Sequence, residues 1–166
     1  MEEKVILRPA TPDDLEAILA LQQTAPGAAS WQPADYASAF ADAAGLCLLA
    51  EDSVRARVAG FLVGRLAADE AEILNLAVAP GYRRQGIGRR LVAEALAVAR
   101  QRGAGKCWLE VRAANRAARD FYRALGFAET SRRRGYYRDP EDDGVVCLRL
   151  LAAGPAGVSL QGEPAP

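Results

Sequence analysis

Three consecutive segments near the middle of the chain limit the fold more than anything else in it. Residues 72–78 (EILNLAV) read as an apolar strand. Residues 86–102 carry Ile87, Leu91, Val92, Ala95, Leu96 and Ala99 as a helical stripe that Gly103 ends, and residues 106–112 (KCWLEVR) read as a second strand. A strand, a helix and a neighbouring strand form a right-handed crossover, so these two strands are expected to run parallel. The rest of the chain reads as short hairpins and helices. Residues 5–7 form a first strand. Thr11 caps a helix over 12–23 that opens on Pro12 and has an acid at its third position. Pro26-Gly27 breaks that helix, and a second one covers 33–43, with Trp31, Tyr36 and Phe40 giving it aromatic weight. Strands over 45–51 and 57–66 turn around Asp52-Ser53. Asn115 caps a helix over 116–125 that Gly126 ends, and strands over 127–137 and 145–151 close the fold across the acidic loop Asp139-Pro140-Glu141-Asp142-Asp143. The expected class is therefore α/β (α+β), a mixed central sheet of about seven strands flanked by about four helices. It forms one domain over residues 1–152, and the Gly, Pro and Ala-rich residues 153–166 read as a flexible tail.

The join between the first parallel strand and its helix carries chemistry. Leu76-Ala77-Val78-Ala79-Pro80-Gly81-Tyr82-Arg83-Arg84-Gln85-Gly86-Ile87-Gly88-Arg89 runs from an apolar strand through a basic, glycine-punctuated turn into a helix. A helix start leaves backbone N–H groups without partners and carries partial positive charge, so it holds an anion such as a phosphate. Gly86 and Gly88 let that anion approach. Two common phosphate motifs fail here on identifiable residues. Gly81 and Gly86 have P-loop spacing, but Ile87-Gly88 stands where Lys and Ser/Thr are needed. Gly86-Ile87-Gly88 opens a dinucleotide fingerprint, but Leu91 occupies the third glycine position. What remains, Arg83, Gly86 and Gly88 as R-x-x-G-x-G between strand and helix, resembles the acetyl-CoA pyrophosphate loop of the GNAT N-acetyltransferase superfamily. The competing reading is an ordinary strand-to-helix turn.

Composition removes other classes. Lys plus Arg and Asp plus Glu are 21 each, so no overall field draws the chain to nucleic acid or to an anionic membrane. The chain has no His, which excludes Ser-His and Cys-His nucleophile pairs and most zinc sites, and no metal is expected. Cys47, Cys107 and Cys147 are odd in number and embedded in apolar runs, so they read as buried thiols in a reducing cytoplasm. The acidic start and the lack of a long apolar run read as neither signal peptide nor membrane span.

Glu110 sits inside Trp108-Leu109-Glu110-Val111, where an unpaired carboxylate would be costly, so it needs an arginine partner or a catalytic task. As a general base it would take a proton, through water, from an ammonium nucleophile. Tyr122 lies one position from the Ala118, Phe121, Leu125 stripe and reads equally as core or as an acid, a phenol near pKa ~10 protonating a thiolate whose thiol has pKa ~8.5. Asn115 is an N-cap whose amide could also face a ligand.

Leu109-Glu110-Val111-Arg112-Ala113-Ala114-Asn115, Phe121-Tyr122-Arg123-Ala124-Leu125-Gly126-Phe127 and Arg134-Gly135-Tyr136-Tyr137 resemble the ribosomal-protein alanine N-acetyltransferase branch of GNAT enzymes. The resemblance runs from about Leu74 to Leu150. It implies Glu110 as base, Tyr122 as acid and Asn115 as a cofactor contact. It implies that Leu76, Ala77 and Val78 hold the acetyl and pantetheine part of acetyl-CoA through backbone groups, and that Arg84 to Arg89 hold its pyrophosphate, with coenzyme A as product. The departures are Ala29-Ser30-Trp31 in place of a Pro-Trp pair and Gly135 in place of an asparagine. Both fall in the parts that frame the acceptor groove of such folds.

The resulting expectation is direct acetyl transfer to a protein N-terminal α-amine, with a ribosomal protein as one candidate acceptor and a monomer or weak dimer as the active form. An α-amine has pKa ~7.7 to 8.0 against ~10.4 for Lys, so one carboxylate suffices. Backbone N–H near the end of the strand, if a local bulge exposes it, would polarise the thioester carbonyl. Tyr136 and Tyr137 would hydrogen-bond the first peptide units. The acidic loop reads as a solvated turn or as an attractor of a basic N-terminal segment. A pocket closed by Trp31 would instead favour a small amine, and a non-catalytic acyl-CoA-binding domain is the reading in which Glu110 is only an ion-pair partner.

Overall fold

One interior strand is apolar on both faces because helices cover both. In the computed structural model, which describes residues 4–152, this is β3 (Arg57–Ala67), where Phe61 and Val63 point to one side of the sheet and Leu62 to the other. The sheet has seven strands in the order β1-β2-β3-β4-β5-β7-β6. The others are β1 (Val5–Pro9), β2 (Gly45–Asp52), β4 (Glu70–Val78), β5 (Lys106–Arg112), β6 (Ala128–Arg138) and β7 (Glu141–Leu150). Only β4 and β5 pair in parallel, as the crossover requires, and every other neighbouring pair is antiparallel. The tail expected over 153–166 lies outside the described residues. No helix among the described residues is long and apolar enough to cross a membrane.

Helices α1 (Leu15–Gln23) and α2 (Pro33–Ala41) cover one face, burying Ile18, Leu21 and Tyr36 against Leu49, Phe61 and Val63. Helices α3 (Ile87–Gln101) and α4 (Arg116–Ala124) cover the other, where the expected α3 stripe is buried together with Leu109, Tyr122 and Phe127. All three cysteines are free, and burial pushes the Cys107 thiol up to about 12.

Several expected boundaries move. The first helix is preceded by a 3-10 turn over Pro12–Asp14, since Asp14 turns back to the Thr11 N–H (2.8 Å) and to Arg8 (2.7 Å). The second ends at Ala41, because Asp42 is extended and its carboxylate takes the Ala44 N–H (2.9 Å). The acidic loop is shorter than expected: Glu141, Asp142 and Asp143 belong to β7, and the turn is Asp139-Pro140.

Asp52 at the end of β2 gathers Lys4, Arg55 and the hydroxyl of Tyr82, whose O–H donates to it at 2.8 Å. Burial alone would raise its carboxyl, but hydrogen bonds from Tyr82, Arg55 and the Val54 N–H outweigh that and hold it well below the ordinary 3.8. Its contribution is therefore complete above that ordinary value and is lost as pH falls below it towards the folded-state value. Asp52→Asn is expected to lower the melting temperature at pH 7 and to flatten the fall in melting temperature below about pH 4. Thermal melts from pH 7 to 2.5 check this, and parallel pH curves for the two proteins would contradict it.

Candidate active site

The site exists because β4 and β5 pair only briefly. Their parallel register covers Glu70 to Glu72 opposite Lys106 to Trp108, after which both strands continue without pairing to each other. The β3 register opposite β4 skips from Asn75 to Ile73, leaving Leu74 as a bulge, and a bulged strand bends and twists away from its neighbour. The parting strands enclose a cleft of about 1160 Å³, walled by residues 73–78 of β4, 109–112 of β5, the start of α4 and residues 25–30.

The bulge expected near the end of this strand therefore lies at Leu74, and what it opens is an edge. The Ala79 N–H bonds to the Ala59 carbonyl (2.8 Å), so the alternation of an antiparallel pair turns the backbone of Ala77 towards β3 and the backbones of Leu76 and Val78 towards the cleft. Ala77 contributes a buried side chain instead.

At the far end of this edge stands the N-terminus of α3. Arg90 is the first residue whose N–H is taken by the helix turn, from Gly86 (3.0 Å), and no side chain caps the end, so the preceding amides point outwards. Arg84 and Gly86 both adopt positive φ (59° and 80°), which curls the turn and aims its N–H groups inwards. A Cβ on Gly88 would come within 3.3 Å of the Phe121 ring, so the glycine lets α3 and α4 lie close here without pressing on it. Ile87 is buried in the core, and Gln85 Nε2 donates to the Gly81 carbonyl. Arg84 and Arg89 flank this helix end. Arg83 lines the cleft, where its guanidinium donates to the carbonyls of Val78 (3.0 Å) and Thr24 (3.1 Å) and ties the end of β4 to the end of α1.

Glu110, on β5, and Tyr122, on α4, line the same cleft. The carboxylate has its arginine, Arg133 on β6 at 3.2 Å. Arg112 turns away to the carbonyls of Asp139 and Pro140 and stacks on Tyr137. Gly144 on β7 makes room for Glu110, because a Cβ there would lie 3.1 Å from its carboxyl. Tyr122 packs edge-on against Phe121 and Phe127, and burial raises its pKa, so the phenol stays protonated at neutral pH. It is core side chain and cleft wall at once. Asn115 is the expected N-cap, its Oδ1 accepting the Ala118 N–H (3.1 Å), and it lines the cleft with its Nδ2 towards Gly27.

Other expected residues separate. Tyr137 lines the cleft, whereas Tyr136, its neighbour on β6, is exposed beneath Arg133, as the alternation of a strand expects. Trp31 packs on Tyr36 (5.1 Å between ring centres) behind the wall formed by residues 25–30. The acidic segment divides: Asp139-Pro140 is an exposed turn followed by the exposed Glu141, whereas the next two carboxylates are engaged. Asp142 accepts the N–H groups of Ala114 and Asp143, and Asp143 accepts that of Gly135 and faces Arg132. Sequence reasoning missed Asn75, Tyr82 and Arg133. The signal for Asn75 was a polar residue at an inward position of an apolar strand.

Residues 13–127 match the acetyltransferase (GNAT) family. Over 92 residues the chain is 41% identical to ribosomal protein bS18-alanine N-acetyltransferase of Escherichia coli K12, a stretch covering 54% of this chain and 62% of that relative. The crystal structure of the ribosomal-protein-S18-alanine N-acetyltransferase from Escherichia coli superposes with a TM-score of 0.81 at 31% identity, over 93% of this chain and 98% of that one. Ard1 from Thermoplasma volcanium superposes equally well, 0.81 at 26% identity, over 90% and 99%. With the parted strands, the basic turn and this match over most of its length, the chain belongs to the acetyltransferase (GNAT) family.

Proposed function

We propose that this protein transfers acetyl from acetyl-CoA directly to the α-amine of a protein N-terminus, in a reducing cytoplasm. The observation that carries this is the continuity of one cleft. It runs from Arg83, in the turn that leads into the uncapped α3, along the open edge of β4 to Glu110 and Tyr122, and it is walled by residues 25–30 and the Asp139-Pro140 turn. The relatives' names point the same way, and an alanine-initiated ribosomal protein is the first acceptor to try.

Acetyl-CoA supplies the thioester, and the chain does the rest. The amides at 86–89 and the flanking Arg84 and Arg89 hold the pyrophosphate. The N–H groups of Leu76 and Val78 align the pantetheine and acetyl part and polarise the carbonyl, and Asn115 Nδ2 donates to the same ligand. Glu110 takes a proton from the ammonium, through water. The amine nitrogen then forms the new C–N bond, the C–S bond breaks, Tyr122 O–H gives its proton to the departing sulfur, and the second proton that the nitrogen sheds on becoming an amide returns through water to the phenolate. Tyr137 meets the first peptide units.

Free-amine peptides, the same peptides blocked at the N-terminus but containing Lys, and small amines form the deciding panel. The free-amine peptides are expected to be acetylated about a hundredfold faster than the others in kcat/KM. Activity confined to small amines would overturn the reading, and acetyl-CoA binding without turnover on any acceptor would favour a non-catalytic domain.

Glu110→Gln is expected to lower kcat by about 10²- to 10⁴-fold at pH 7 while acetyl-CoA affinity stays within about twofold. The deficit should narrow as pH rises past ~8, because the α-amine then loses its proton unaided. Tyr122→Phe should slow the departure of the thiolate without altering that pH dependence. A pH-independent Glu110→Gln deficit would contradict the base assignment, and full activity in Tyr122→Phe would return the phenol to a packing role.

A further inference from the structure

The wall that faces Glu110 across the cleft is a loop, residues 25–31, and a loop needs something to fix it. Its hydrogen bonds lead to one buried point. Asn75, 4% exposed on β4, presents its side-chain amide to Ala29 as a neighbouring strand would, accepting the Ala29 N–H (3.1 Å) and donating to the Ala29 carbonyl (3.3 Å). The same Nδ2 donates to the hydroxyl of Tyr36 (3.0 Å), which is wholly buried. Tyr36 in turn donates to Gln22 Oε1, which also accepts the Trp31 N–H (3.2 Å), while Gln22 Nε2 donates to the Trp31 carbonyl (3.0 Å). The loop is thus clasped at Ala29 by β4 and at Trp31 by α1, with Tyr36 joining the two clasps. Arg83 holds its entrance at Thr24.

This arrangement has a consequence for the reaction. On one strand, the backbones of Leu76 and Val78 face the donor side, while the side chain of Asn75 fixes the acceptor wall. Gly27 of this loop stands beside Asn115, since a Cβ on the glycine would lie 3.1 Å from Asn115 Nδ2, so a shift of the loop changes the cleft where residues 25–30 meet the start of α4.

We propose that Asn75, acting through Ala29 and joined by Tyr36 to Gln22, is a positioning residue that sets acceptor recognition by holding residues 25–31 in register with the donor strand. This rests on the transferase reading above. Asn75 touches neither reacting atom; its effect passes through the loop. Buried polar networks of this kind specify one geometry when every member is satisfied, and no buried polar side-chain atom among the described residues lacks a partner.

The experiment compares wild type, Asn75→Ala and Tyr36→Phe, the last removing only the hydroxyl that joins the two clasps. Amide hydrogen exchange at Ala29 and Trp31 is read beside KM for the acceptor and for acetyl-CoA. In Asn75→Ala, exchange at Ala29 is expected to rise about tenfold or more with α3 unchanged. Acceptor KM should rise about tenfold while that for acetyl-CoA stays within about twofold. Tyr36→Phe should move both in the same direction by less, and it decides the matter if Asn75→Ala fails to fold. Unchanged Ala29 exchange, or equal rises in the two KM values, would overturn the proposal. If the wild-type protein acetylates only small amines, the peptide reading falls, and the same KM split measured with the small amine still decides the role of Asn75.

Discussion

Everything at this site follows from where β4 stops pairing with β5. Parallel strands in a sheet normally satisfy each other's backbone along their whole length, because an unpaired buried amide costs about 1–3 kcal/mol. Here the pairing ends after Glu72 and Trp108, and the bulge at Leu74 turns the rest of β4 away. The amides of Leu76 and Val78 therefore sit at an edge inside the molecule, which is tenable only if water or a ligand meets them. The crossover helix that joins the two strands must begin at the end of that edge, so its uncapped N-terminus adds an anion site in line with the open amides.

Backbone and side chains divide the work accordingly. On the proposed reading, the donor half of the cleft is made of amides, glycines and a helix end, which would recognise a ligand by its polar backbone-like groups and its phosphates. The acceptor half is made of side chains: Glu110 held by Arg133, Tyr137 stacked under Arg112, and a loop clasped by Asn75 and Gln22. On the same reading, changes in the second half would alter which amine arrives without disturbing how the thioester is held. Tyr82 serves the first half from a distance, since its hydroxyl pins the turn before α3 to the buried Asp52.

The legible parts were those governed by local rules. The crossover, the helix start at Gly86 and the apolar stripe of α3 follow from periodicity and from glycine geometry over a few residues. Glu110 and Tyr122 could be singled out because each is anomalous in its own segment. The choice of Arg133 over Arg112 as the partner of Glu110 could not, because it depends on β6 lying beside β7 with a register slip at Arg134 to Tyr136. The same slip leaves residues 134–136 opposite Asp143 alone, and beyond it Tyr137 and Arg138 pair with Asp142 and Glu141 of β7. The partners of Asn75 lie 39 and 46 residues away in sequence, so no local pattern announces them.

Per-residue amide exchange with and without acetyl-CoA tests the donor site most directly. The account predicts new protection at Leu76 and Val78 and at residues 86–89, with Ala77 unchanged because its N–H is already bonded to β3. Acetyl-CoA binding that protects some other surface and leaves the β4 edge and the start of α3 exchanging as before would contradict it.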